Sequence, residues 1–266
     1  MSAGFLRYLR LYGYFLRFSV SRAFEFRVDF FFRVAMDLAY YGINIGFYQV
    51  VFLQTDLLGG WNREQSLVFM AGYLVVDAIT MTVFSNNLWM LPTFVNRGDL
   101  DYYLVRPVSS LFFLSLRDFA ANSFLNLVFA LGILAWATAQ LPGPVSAGSL
   151  LGYLALLCLG SFLHFMVHLI IILPVFWLQS GTSLHGVFYS FSRFMERPDG
   201  IFSGWVRRLM VTVLPFCLMA SFPARVFLEG PDWRVLLHFG GVLAAFCLAI
   251  LAVWNAGLRA YSSASS

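Results

Sequence analysis

The sequence predicts an all-α integral membrane protein, and three observations carry that class. Of 266 residues, 60% are hydrophobic and 11% charged, with a mean hydropathy of +0.78, against roughly 45–50% apolar residues in a soluble domain. The apolar residues gather into six runs of about 20, the length of a helix that crosses a bilayer. The arginines divide unevenly between alternate loops, as they do across a membrane. The chain reads as one transmembrane domain over residues 1–266: a surface helix to residue 27, a six-span bundle over 28–261 and a tail, 262–266.

Residues 1–27 set Arg7, Arg10, Tyr14, Arg17, Ser21 and Glu25 three or four apart, on one face of a helix, with Phe5, Leu9, Leu16 and Val20 largely elsewhere. Charge interrupts the apolar residues, which fits a retained amphipathic helix on the membrane surface rather than a signal peptide. The six spans are expected at 30–53, 65–85, 112–139, 149–177, 205–221 and 235–257. The fifth starts at Arg207 and Arg208 and contains Pro215, tolerable where neighbouring helices satisfy the freed carbonyl. With the N-terminus cytoplasmic, 14 arginines lie inside and three (Arg63, Arg225 and Arg234) outside, so both termini are expected on the cytoplasmic side.

Between spans two and three lies "NRGDLDYYLVRPVS" (96–109), with Arg97, Asp99, Asp101 and Arg106 in ten positions. Trp89, Leu91 and Phe94 before it suit the membrane interface, and Pro92 is expected to interrupt the helix there. Gly98 suits a turn, Asp99 caps a short helix through "LDYYL", and Arg106-Pro107 ends it. A cytoplasmic helix held between two spans is the arrangement by which a transport subunit receives force from a separate motor; the other reading is a loop that only anchors topology. "LQSGTSLHGVFYSFSRFMERPDG" (178–200) reads as a second cytoplasmic loop, either solvated or touching a motor or gate, with Arg193, Glu196 and Arg197 able to pair locally. Outside, "QLPGPVSAG" joins spans three and four, and "FPARVFLEGPDW" (222–233) joins five and six and is expected to dip back into the bilayer.

The residue inventory removes several chemistries. There is no Lys, so P-loop, Schiff-base and Ser-Lys mechanisms are excluded, and any P-loop hydrolysis of nucleotide belongs to another chain. The net charge of +4 reports membrane topology, with no nucleic acid partner expected. Cys158, Cys217 and Cys247 stand singly in apolar runs and suggest neither a disulfide nor a zinc site.

Asp37 lies in span one, Asp77 about midway along span two and Asp118 near the end of span three. An ionised carboxylate at a helix centre costs about 3 kcal/mol, so it faces a bundle interior or a partner. One reading puts Asp77, and with it Asp37, on a translocation path that favours cations; the other pairs them with Arg33 or Arg117. His164 and His168 share a helix face, and a metal would need a third ligand from Asp77, His185 or His238; hydrogen bonding to neighbouring helices is the simpler reading, and no metal is expected. Gly42 with Gly46, and Gly148 with Gly152, have the small-xxx-small spacing of closely packed helices.

"RGDLDYYLVRPVS" followed by a long apolar span, and later "FMERPDGIFSGWVRRLMVTVLPFCLMASFPARVFLEG", resemble the permease subunits of type-2 ABC exporters, in the branch of uncharacterised bacterial multidrug-type permeases. The likeness runs over nearly the whole chain. It implies a permease of the cytoplasmic (inner) membrane that catalyses no bond chemistry, partnered by two copies of an ABC ATPase that hold the ATP and Mg, and by a second permease subunit as homodimer or heterodimer. It implies that the loop holding Arg97, Gly98, Asp99, Leu100, Asp101, Arg106 and Pro107 is the coupling helix on the ATPase. Pro215, Phe222 and Pro223 would belong to short re-entrant helices at the outer mouth, and the cargo would be hydrophobic or amphipathic small molecules. The competing class is an autonomous carrier using Asp37 and Asp77 as ion sites, or a metal enzyme using the histidine pair.

Overall fold

The computed structural model describes residues 2–23, 27–178 and 180–261, and all regular structure among them is helical. Glu25 of the expected surface-helix face and the tail 262–266 fall outside the described residues. The helices are α1 (Ser2–Ala23), α2 (Arg27–Val51), α3 (Arg63–Arg97), α4 (Asp101–Leu104), α5 (Ser110–Leu116), α6 (Ala121–Ala139), α7 (Ala147–Leu178), α8 (Gly181–Ser192), α9 (Gly204–Thr212), α10 (Phe216–Glu229) and α11 (Trp233–Ala260). Of these, α3, α7 and α11 are long and apolar enough to cross a bilayer.

α3 and α7 form the centre: 78% and 67% of their most apolar stretches are buried by protein, against 17% for α11, whose apolar surface is left to lipid. α3 opens on a capping box, in which Asn62 Oδ1 accepts from the Gln65 amide (2.9 Å) and Gln65 Oε1 accepts from the Asn62 amide (3.1 Å). It passes through a π turn at Met81–Ser85, where the Thr82 carbonyl accepts from the Ala120 amide (2.8 Å). It then runs on through Pro92 to Gly98, whose φ of 79° is the left-handed end of the helix. Pro92 therefore sits inside span two, and 86–95 is helix rather than an interfacial break. The helix expected as span three starts at Ala121 rather than 112, because α5 is a separate helix and Asn87 bonds the backbone of Asp118 in the connection (both 2.8 Å).

The largest difference from expectation concerns residues 178–229. α8 runs antiparallel to α7: the His168 and His185 rings lie 5.4 Å apart and those of His164 and Phe188 5.2 Å. Gly181 abuts Pro92 near one end of α3, and Gly200 abuts Gly59 at the other end. Residues 181–200 thus run the length of the bundle instead of forming a loop at one end. α9 and α10 then fold back as a pair bent by 90°, with both outer ends at the Gly59 end. Its bend at Val213–Pro215 lies deep, with Phe216 near Phe188 (5.8 Å), and its exit is tied where Trp61 Nε1 donates to Glu229 (3.3 Å). The expected crossing at 205–221 and the expected dip at 222–233 are parts of this hairpin. Residues 216–224 are apolar because protein buries them, not because lipid does.

Two consequences follow for the remaining expectations. Arg197, Arg207 and Arg208 sit at the Gly59 end rather than with the N-terminal arginines, and Arg193 borders the interior, so the arginine imbalance is smaller than the sequence count gave. The glycines that permit close approach are also others. A Cβ on Gly160 would meet the Met219 backbone of the hairpin and one on Gly72 the Tyr153 hydroxyl, whereas Gly42, Gly46 and Gly152 have nothing within 4 Å.

Candidate functional site

A cavity of about 1140 Å³ lies in the middle of the bundle, walled by α2, α3, α6, α7 and α8. α3 brings Tyr73, Asp77, Met81 and Trp89 to it at helical spacing, and α2 brings Arg33, Asp37, Tyr40 and Tyr41 over about 12 Å of helix. The two carboxylates singled out in the sequence therefore share one wall, and Glu196 joins them from the turn after α8. None of this depends on one strand of sequence; three helices distant in the chain converge.

The polar groups of the cavity differ in how well they are held. Asn126 Nδ2 donates to Asp37, with Arg33 one turn earlier on the same helix. The Tyr40 and Tyr73 hydroxyls are 2.5 Å apart, and Tyr40 also donates to Glu196 Oε1 (3.4 Å). Tyr48 donates to the Glu196 carbonyl (2.9 Å), fixing the turn against α2. Asp77 is half-buried and, among the described residues, makes no hydrogen bond or ion pair. Arg117, one of its expected partners, instead donates to the Tyr103 hydroxyl and lies near the Phe94 ring.

His164 and His168 both line the cavity wall, and their bonds go to neighbouring helices. His164 Nδ1 is 3.1 Å from Thr80 Oγ1, and His168 Nε2 is 3.2 Å from His185 Nδ1 while its ring stacks on Phe188 at 3.7 Å. His238 is elsewhere, with Nε2 2.9 Å from the Val211 carbonyl. Among the described residues no three His, Cys, Asp or Glu side chains converge as metal ligands. His185 and Tyr189 instead stack on Trp89, whose Nε1 donates to the Tyr189 hydroxyl (3.1 Å).

At the Gly98 end, the charged stretch of the sequence is a bounded turn. Leu100 and Tyr103 are buried, and α4 is a single turn whose cap, Leu100, uses no side chain. The expected capping role of Asp99 is absent, because the left-handed Gly98 already closes α3 and its carbonyl accepts from the Asp101 amide (3.3 Å). Arg97, Asp99, Tyr102 and Val105 are exposed, Val105 at 82%. Arg106 lies over the Tyr102 ring at 4.1 Å, and Pro107 is exposed with its carbonyl accepting from Arg7 of α1 (2.8 Å). α1 is bound along this end by further bonds, from the Ser109 amide to Tyr8 (3.0 Å) and from the Phe119 amide to Ser19 (3.1 Å). The end of α11 arrives here too: burial, then the charges of Asp101 and Asp99, raise the pKa of the Tyr261 phenol.

At the Gly59 end, Pro215 marks the hairpin bend, and Phe222 and Pro223 are buried within α10. The group that pins the hairpin is one the sequence reading missed. Asp199 is fully buried and accepts from Arg207 Nη2 (2.6 Å) and Nε (3.0 Å) and from Arg225 Nη2 (2.8 Å), while its amide donates to Ser221 (3.1 Å). Glu196, read in the sequence as a local partner of Arg193 and Arg197, lines the cavity and accepts from Tyr40, and Asn126 and the cavity tyrosines were missed. Each sits in a segment whose local pattern reads as ordinary helix or loop, and only the tertiary fold assembles them.

A family model described as ABC-2 family transporter protein matches residues 38–265. No curated protein and no solved structure matches the chain.

Proposed function

Since the chain belongs to the ABC-2 family of transporter proteins, we propose that it is the transmembrane subunit of an ATP-driven exporter, coupled to a separate ABC ATPase. The observation that carries this reading is the construction of α3. One helix supplies the cavity wall from Tyr73 to Trp89 and ends, about 30 Å beyond Asp77, in the exposed turn around Asp99 and Val105. Force applied to that turn is delivered to the cavity through an unbroken rod.

In this reading the subunit crosses the inner membrane six times, through α2, α3, α6, α7, α8 with its following turn, and α11. The Gly98 end and both termini face the cytoplasm. The α9–α10 hairpin, with Pro215, Phe222 and Pro223, closes the outer mouth, and exposed Trp205 and Trp233 suit the outer interface. Two subunits, alike or different, pair in the membrane, and two ATPase copies holding ATP and Mg close on the turns at 97–107. Closure shifts the population of inward-open and outward-open states by the difference in ATP affinity between them. The cargo is a hydrophobic or amphipathic small molecule, as the aromatic walls of the cavity suggest.

The test is co-expression with an ABC ATPase from the same organism, followed by purification in detergent. Co-purification is expected, and Asp99→Arg with Asp101→Arg should abolish it. An ATPase that does not co-purify, or a double variant that binds it as wild type does, contradicts the coupling role.

A further inference from the structure

We infer that the central cavity is a binding site for an organic cation with an apolar aromatic body, and that Asp77 supplies the charge that holds it. This rests on the chain being a transport subunit, and it names the class of molecule carried. Three observations converge on it.

First, Asp77 is the intramembrane carboxylate left without a partner. Asp37 has Asn126 and lies a turn from Arg33; Asp118 is fixed through its backbone by Asn87; Asp199 is held by two arginines. Asp77 faces the cavity with no hydrogen bond or ion pair among the described residues. Charges inside a membrane bundle are paired or sit on a substrate route, and with no partner for Asp77 among the described residues a ligand would complete the pairing.

Second, aromatic side chains line the cavity: Tyr40, Tyr41, Tyr73, Trp89, Phe188 and Tyr189. Rings of this kind attract a cation through their quadrupoles, the more so in a desolvated site, and they pack against an apolar aromatic body. Two guanidinium groups also border the cavity, but Arg33 is on the same face as Asp37 and Arg193 on the same turn as Glu196. The carboxylates outnumber them by one, and Asp77 is the surplus. An anionic ligand would meet that surplus charge unopposed.

Third, the cavity has room: its volume of about 1140 Å³ exceeds what a drug-sized molecule needs.

The test uses two probes of matched size and opposite charge. The full-length chain in phosphatidylcholine nanodiscs is titrated with radiolabelled tetraphenylphosphonium and with tetraphenylborate, and empty nanodiscs give the lipid background. Wild type should bind the phosphonium saturably and the borate only at background level. Asp77→Asn should weaken phosphonium binding by about tenfold or more, and Asp77→Glu should restore it. The inference is overturned if the borate binds as well as the phosphonium, a result that needs no variant, or if Asp77→Asn binds the phosphonium as wild type does. Since no ATPase is present, the two readings fail separately. Binding through Asp77 without any ATPase partner removes the transport reading alone, and co-purification with unaltered binding by Asp77→Asn removes this inference alone.

Discussion

Asp199 and Asp77 are both carboxylates that the bundle takes out of bulk water, and their surroundings are opposite. Asp199 has no exposed surface and is enclosed by Arg207, Arg225 and Ser221, and both its carboxylate oxygens accept from guanidinium groups. Asp77 opens onto a cavity and has no partner among the described residues. The first arrangement ties the α9–α10 hairpin to the rest of the fold; the second leaves an interaction to be completed by something else. The contrast teaches that charge within a membrane domain is not by itself a sign of function, and that the satisfaction of the charge separates a structural acid from a binding one.

The comparison is broken most severely at Asp199. Asp199→Ala leaves two guanidinium groups facing each other in protein, and breaking such a pair costs about 3–5 kcal/mol. Arg207 keeps 41% of its side-chain surface, which favours the low end of that range. The variant should melt well below wild type in detergent, and an unaltered midpoint would show that the hairpin is held by packing alone. Gly160→Ala comes next: its methyl would strike the Met219 carbonyl, and overpacking of this kind costs about 1–3 kcal/mol, again read from the melting midpoint.

Asp77→Asn should move stability little or upward, by about 1 kcal/mol, because it removes an unpaired charge from a poorly solvated site. A midpoint lowered as far as that of Asp199→Ala would mean that Asp77 is structural too. The smallest effect on stability is expected at the Gly98 end, where Asp99→Arg with Asp101→Arg should shift the midpoint by no more than about 0.5 kcal/mol while abolishing association with the ATPase. Those two measurements on one protein separate the coupling surface from the core.

Much of this was legible in the sequence. Apolar runs of bilayer length marked α3, α7 and α11, and the punctuation Gly98 and Pro107 marked a bounded turn at the end of α3. Asp37 and Asp77 were singled out by their cost in a membrane, and they share one cavity. The course of 178–229 was hidden for one physical reason. Apolarity reports removal from water, whether by lipid or by protein, so the hairpin residues 216–224, enclosed by α3 and α7, imitate a span. α8 does the reverse. His185, Tyr189 and Ser192 turn inward to α7 and the cavity, so the helix carries the polarity of a loop. The partners of Asp199 lie 8 and 26 residues away, beyond any local pattern.

The central claim is that the exposed turn after α3 passes the ATP cycle of a partner to the cavity wall. Its most direct test is ATP-dependent uptake of tetraphenylphosphonium into inverted membrane vesicles that contain the chain and its ATPase. The account predicts uptake by wild type and none by Asp99→Arg with Asp101→Arg, although that variant still binds the phosphonium in nanodiscs. Uptake by the variant at the wild-type rate would contradict it.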